Sequence, residues 1–368
     1  MAYSTISKPT DYFNTKLYTG NGSTQNITGV GFQPDWTWIK ARAASGTGND
    51  NHSVCDIVRT KGSYGYPSIY TNLTSAEYNP ASGNEVITDF ISDGFALGGN
   101  ENSNYNSNTY VSWNWKAGGS GSSNTDGSIT STVSANQTAG FSIVKYTGTG
   151  SGATIGHGLN SELGMLIVKK FESGGQAGNW TIWHKGLTSP QHDEVIFLNS
   201  TGGEADVSND TYWNGANPTL SVFSVNTNEN LNENTYDYIA YCFAEKKGYS
   251  KFGSYTGNGN ADGPFIYLGF KPKYFLLKNA TASSGSSGQH WQIADTVRHP
   301  ENPVDANLIA ESNSPDGNTW SIKDFLSNGV KIRGTNFAMN TSGDTYIYMA
   351  FAEEPLVANV GQGIPATA

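Results

Sequence analysis

One segment occurs three times in this chain, and that repetition constrains its folding more than any other feature. Each copy opens on Tyr-Thr-Gly, at Tyr18-Thr19-Gly20, Tyr146-Thr147-Gly148 and Tyr255-Thr256-Gly257. Each closes on an aromatic-rich strand that begins at Tyr110, Tyr238 or Tyr346. The opening and closing tyrosines lie 92, 92 and 91 residues apart. A fixed period of this kind predicts tandem copies of one structural unit, so function is expected from three modules rather than from one composite active site. Inside each copy an apolar strand ends on a lysine, at Lys40, Lys169 and Lys278. Copies one and three also share an Asp-x-Val-Arg element, Asp56 to Arg59 and Asp295 to Arg298, and a strand-and-turn that starts at Phe90 and Phe325. Copy two lacks both and carries Asn179-Trp-Thr-Ile-Trp183 in the corresponding stretch.

Composition predicts an all-β chain. Aromatic residues make up 12% and charged residues only 14%, and the 44 glycines supply turns between short strands. The closing strand alternates with period two: Val111, Trp113 and Trp115 fall on one face, Tyr110, Ser112 and Asn114 on the other. Three tandem β-sandwich domains follow. The boundaries read as repeat one over 1–117, a Gly/Ser-rich linker over 118–139, repeat two over 140–247, repeat three over 248–354 and an extended tail over 355–368.

Several functional classes are excluded as expectations. No apolar run is long enough for a membrane helix, and the start has no signal-peptide pattern, so no membrane insertion is expected. A formal charge of −10 argues against a nucleic-acid partner. Cys55 and Cys242 lie in different copies and read as buried free thiols. The six histidines form no zinc spacing, so neither a metal site nor a cofactor is expected.

Candidate chemistry is sparse. His52, Asp56 and Arg59, echoed by His290, Asp295 and Arg298, are the nearest approach to an acid–base constellation. Their unequal spacing and absence from copy two favour a structural role for Asp56, Arg59, Asp295 and Arg298. No paired carboxylates suit glycoside hydrolysis, so no catalytic residue is assigned. The oxygen-rich loops Gly98–Asn108 and Asn226–Asn234 have the composition for calcium but not the spaced aspartates; at equivalent places in their copies, they also mark one end of the sandwich as a possible binding surface. Trp36, Trp38, Trp113 and Trp115 match apolar residues in the other copies and read as core. Aromatics unique to one copy are the better binding candidates: Trp180, Trp183, Tyr212 and Trp213 in copy two, Trp291 and Trp320 in copy three.

The combination of YTGNG, GFQPDWTWIK, DIVR, FISDGFALGG and NTYVSWNWKAGG, followed by YIAYCFAEKKGYSKFGSYTGNG and TYIYMAFAEEP, resembles a family of repeat-containing virion proteins of tailed bacteriophages, many marine or cyanobacterial. The resemblance covers roughly residues 12–355. It implies a particle-surface location, a sandwich in the style of lectin-like jelly rolls, and no catalytic residues. The expected function is a non-enzymatic tail fibre, spike or tail-tip component that recognises a bacterial surface glycan. A capsid decoration or head appendage is the alternative, and a polysaccharide depolymerase a distant third. Partners would be other virion proteins, with a homo-oligomer on the particle.

Overall fold

The computed structural model describes residues 4–355, apart from 45, 47–49, 175–177, 282–288 and 318–320. Repeat one comprises β1 (Phe13–Thr19), β2 (Gln25–Thr28), β3 (Trp36–Ala41), β4 (Ser53–Asp56), β5 (Ile69–Tyr70), β6 (Ile87–Ile91), β7 (Gly94–Leu97), the one-turn helix α1 (Glu101–Asn104) and β8 (Thr109–Trp115). Two strands, β9 (Ser122–Asn124) and β10 (Ser131–Asn136), come next. Repeat two comprises β11 (Phe141–Thr147), β12 (Ala153–Gly156), β13 (Leu163–Lys170), β14 (Trp180–His184), β15 (Glu194–Phe197), β16 (Ala205–Asp206), β17 (Val222–Val225), α2 (Glu229–Asn232) and β18 (Asp237–Ala244). Repeat three comprises β19 (Ser250–Thr256), β20 (Asp262–Tyr267), β21 (Phe270–Asn279), β22 (Gln292–Asp295), β23 (Leu308–Ile309), β24 (Ile322–Leu326), β25 (Gly329–Arg333), α3 (Phe337–Asn340) and β26 (Thr345–Pro355).

The all-β expectation holds, and all three copies share one sheet order. The main sheets run β1-β8-β3-β4-β5, β11-β18-β13-β14-β15 and β19-β26-β21-β22-β23. Each is backed by a small antiparallel sheet, β2-β7-β6, β12-β17 or β20-β25-β24, over a private core. The stretch 118–139, expected as a Gly/Ser-rich linker, contains strands. Its β10 pairs with β11, and β9 pairs with β10; with β16 paired to β15 at the other edge, the second main sheet has eight strands. The alternating Ser131-Thr-Val-Ser-Ala135 pattern inside the Gly/Ser-rich stretch is what permits this, with Ser131 and Val133 buried.

The opening triplet is explained by packing. Tyr18 stacks on Tyr110, Tyr146 on Tyr238 and Tyr255 on Tyr346, at centroid distances of 5.1, 5.2 and 5.0 Å. Each opening hydroxyl donates to a carbonyl of the one-turn helix, from Tyr18 to Ser103, Tyr146 to Leu231 and Tyr255 to Met339. The glycine lies so close to the residue after that helix that a Cβ at Gly148 would collide with the Glu233 carbonyl. Gly148→Ala is therefore expected to cost about 1–3 kcal/mol in urea unfolding; a loss indistinguishable from zero would contradict this packing.

The repeats do not stand apart as three separate sandwiches. The outward sides of their main sheets meet in one core that draws Trp36, Trp38, Trp113 and Trp115 from repeat one, Phe141, Tyr241 and Phe243 from repeat two, and Tyr274, Met349 and Phe351 from repeat three. Trp36 lies 4.6 Å from Tyr241, and Phe13 lies 5.0 Å from Phe351.

The three interfaces repeat one another in a cycle. Lys169 donates to Thr74 O of repeat one (2.9 Å), Lys278 to Thr201 O of repeat two (2.8 Å) and Lys40 to Asn313 O of repeat three (3.2 Å). Backbone bonds follow the same order: Glu77 N to Phe171 O, Glu204 N to Ala280 O and Asp316 N to Arg42 O. Trp180 Nε1 donates to Tyr70 O and Trp291 Nε1 to Phe197 O; His52, in the matching register, lies against the Ile309 backbone although its Nε2 has no well-formed hydrogen bond. The lysine that ends each apolar strand is thus a staple between copies.

Burying these ammonium groups has a consequence for pH dependence. Desolvation pulls Lys169 down to about 7 and Lys40 and Lys278 to about 8, from an ordinary 10.5. Above these values the native state binds fewer protons than the unfolded chain, so stability rises with pH. Burial pushes the Cys55 and Cys242 thiols the opposite way, from 9.0 up to about 12, which lowers stability above 9.0. The urea midpoint is expected to rise between about pH 7 and about pH 9, and Lys169→Met to flatten that rise. A wild-type midpoint that falls across this window would contradict the staple.

Candidate functional site

The structure removes most of the expected binding residues from contact with solvent. Trp180, Trp183, Trp213 and Trp291 are buried, each with its indole N–H satisfied: Trp180 by Tyr70 O, Trp183 by Asn217 Oδ1, Trp213 by Glu194 O and Trp291 by Phe197 O. They are core and interface side chains, a correction to the binding assignment. Trp180 and Trp291 are not unique to one copy, since they hold matching positions in the shared core where copy one has His52, and Trp183 and Trp213 fill the private core of repeat two. Tyr212 is half-buried against Phe197. Trp320 lies outside the described residues.

In both Asp-x-Val-Arg elements the acid and the guanidinium meet as a buried ion pair. The chain turns after β4 and β22, so Arg59 Nε reaches Asp56 Oδ2 at 2.7 Å and Arg298 Nε reaches Asp295 Oδ2 at 2.5 Å. Both acids also receive a donor from another repeat, Tyr241 Oη on Asp56 (2.8 Å) and Trp113 Nε1 on Asp295 (3.1 Å). In repeat two the same register position holds His184, whose Nε2 lies 3.1 Å from Tyr348 O of repeat three. Burial holds His184 at about 3, so this ring is neutral. His52 is buried and accepts from Trp38 Nε1, whereas His290 pairs with Glu311 at 2.6 Å, so the two histidines are not equivalent.

The oxygen-rich loops close on themselves. Each holds a one-turn helix capped by Asn100, Asn228 or Asn336, and the side chain of Asn104, Asn232 or Asn340 accepts from the loop that follows Tyr-Thr-Gly. Their amides are committed to backbone groups. Among the described residues no group of three or more His, Cys, Asp or Glu side chains is placed to hold a metal ion.

Two exposed aromatic side chains share one strand face in repeat three. Phe265 and Tyr267 are about half exposed, at 45% and 50%, on the outer face of β20. Between them Ile266 points into the private core. The cross-strand neighbour of Tyr267 is Gly329, and the Phe265 ring lies over it: a Cβ there would meet the Ile266 carbonyl oxygen and that ring. Lys251 Nζ lies 5.4 Å from the Tyr267 ring centre. Across the same face Lys331 pairs with Asp262 (2.8 Å) and Arg333 with Asp324 (2.7 Å). The Lys331 bond holds the exposed Asp262 carboxyl below the ordinary carboxylate range.

The same sheet borders a cleft of about 410 Å³ lined by Lys271, Thr296, His299, Asn302, Phe325 and Leu326, within the size range of small-molecule sites. Leu326 faces Gly329 across the hairpin, in the row that contains Tyr267, and so links platform and cleft. Asn302 is fixed in place, donating to Phe325 O and accepting from Phe325 N. Lys271 is paired with Glu353 at 2.9 Å.

Sequence reasoning missed Phe265 and Tyr267, although a signal was present. Phe265-Ile266-Tyr267 aligns with Asn26-Ile27-Thr28 and Thr154-Ile155-Gly156. The central isoleucine serves the core in every copy, while the flanking pair is small or polar in two copies and aromatic in one. A family model described as a domain of unknown function, DUF7483, matches residues 8–355. That single match runs through all three repeats. No curated protein and no solved structure matches the chain.

Proposed function

The chain belongs to the DUF7483 family over residues 8–355, and we propose that it is a non-enzymatic structural module of a tailed-phage particle that recognises the host surface from a tail fibre, spike or tail tip. The observation that carries the recognition part is the aromatic platform of repeat three. Its two rings are exposed at positions where the frame accepts small polar residues, so folding does not require them. The phage setting rests on the motif resemblance, and a glycan is the expected host ligand. Three repeats closed around one core form a rigid carrier, which lowers the entropy lost when a surface patch engages its ligand.

One observation favours a second reading, a capsid decoration or head appendage. The cyclic order of the interface bonds gives the single chain an approximately three-fold arrangement, suited to a three-fold site on a lattice. Quantitative mass spectrometry of purified particles, scaled to the major capsid protein, separates the two. About a dozen copies fits a tail component, and hundreds fit decoration. Absence from the particle would overturn both.

A further inference from the structure

We infer that the outer face of repeat three is a subsite for a neutral saccharide, with Phe265 and Tyr267 as its stacking platform. This deepens the recognition reading and rests on it. Three observations converge. The first is geometric: Phe265 and Tyr267 are exposed two residues apart on one strand face, with the Phe265 ring lying over Gly329, the cross-strand neighbour of Tyr267. Side chains at i and i+2 share a face, which suits the flat C–H face of a pyranose ring.

The second is electrostatic. Lys331 is neutralised by Asp262, and Arg333 by Asp324 with Asp262 nearby at 3.7 Å. Such pairs offer donors and acceptors together, which is what vicinal hydroxyls use. An uncompensated cation cluster would instead select a carboxylate or phosphate. Each pair has one exposed member, Asp262 or Arg333, so a sugar can reach it with little desolvation. A flat protein partner would have to cover these ion pairs over a far larger area, at the desolvation cost such burial carries.

The third is continuity. The row from Tyr267 through Gly329 to Leu326 leads into the 410 Å³ cleft, where Thr296, His299 and Asn302 lie among its lining residues. A second sugar unit bound there would extend the contact beyond one stacked ring. The equivalent face in repeats one and two presents Asn26 and Thr28, or Thr154 and Gly156, so a single subsite per chain is expected.

The experiment uses the full-length protein and a variant whose new residues come from repeat one, Phe265→Asn with Tyr267→Thr. Saturation-transfer NMR is run with maltotriose, mannotriose, cellotriose and lactose as neutral probes and trigalacturonate as the acidic one. At least one neutral probe is expected to bind, and the variant to bind it about tenfold more weakly or not at all, with the urea midpoint unchanged. Undiminished binding by the folded variant would overturn the subsite, as would binding of trigalacturonate alone or of none of the five. A variant that unfolds is replaced by Tyr267→Thr alone, read by the same two measurements. Adhesion of the wild-type protein to host cells is measured in parallel. Adhesion that survives the double substitution removes the subsite and leaves the recognition reading standing; absence of adhesion and of all sugar binding removes the recognition reading.

Discussion

Asp56→Ala is expected to lower the unfolding free energy by about 3–5 kcal/mol, because it leaves a buried guanidinium without its main counter-charge. Asp56 and Arg59 are at most 1% exposed. Asp56 Oδ1 accepts from the backbone N–H groups of Val58 and Arg59, and Oδ2 accepts from Arg59 Nε and from Tyr241 Oη. One substitution therefore opens a turn, strands Arg59 and cuts a bond to repeat two. Glu77, 3.4 Å from Arg59, and the Val54 carbonyl remain as partners but do not replace a 2.7 Å ion pair. The companion variant Asp56→Ala with Arg59→Met removes the stranded charge and is expected to recover part of the loss. Urea unfolding followed by tryptophan fluorescence reads both. A loss below about 1 kcal/mol in the single variant would show that the pair is not an organising contact.

Trp36→Ala is the second large effect, at about 3–5 kcal/mol. The side chain is 1% exposed and packs on Trp115 at 4.3 Å within its own repeat. It also packs on Tyr241, Phe141 and Phe243 of repeat two, at 4.6, 5.6 and 5.8 Å. The cavity it leaves opens into a core that three repeats share, so the loss cannot stay within one of them. A single unfolding transition is expected for both wild type and variant, at a lower urea concentration for the variant. Separate transitions in the wild type would mean that the repeats fold independently.

The frame was legible in the sequence and the assembly was not. Strand alternation, the repeat period and the terminal lysines are local patterns, and each corresponds to an element of the fold. What the three copies bury against one another left only an indirect trace. The equivalent positions Trp36, Met165 and Tyr274, or Trp113, Tyr241 and Met349, differ in every copy because they fill one shared space from three sides. Divergence at such positions reads like functional variation, whereas Trp180 and Trp291 occupy matching positions whose equivalence is hidden because copy one has His52 there. His184 was invisible as the counterpart of Asp56 because a neutral imidazole meets a backbone carbonyl where the other copies use a carboxylate to receive a donor. The platform was missed for the converse reason: two aromatics around a core isoleucine look like ordinary strand residues until their exposure is known.

The repeated signatures therefore describe how the copies are joined. Tyr-Thr-Gly locks a loop on a one-turn helix, the lysines staple neighbouring copies, and the asparagines hold loops closed. The exposed pair Phe265 and Tyr267, on which the proposed recognition rests, lies on one outer face of one copy.

If the three repeats share one core in a closed cycle, loss of Trp36 must be felt outside repeat one, and hydrogen exchange on Trp36→Ala reads this. Mass spectrometry is expected to show faster exchange in β18 and β26 as well as in β3, because the core that loses Trp36 also supports Tyr241 and Phe351. Faster exchange confined to repeat one, with β18 and β26 as protected as in the wild type, would contradict that shared core.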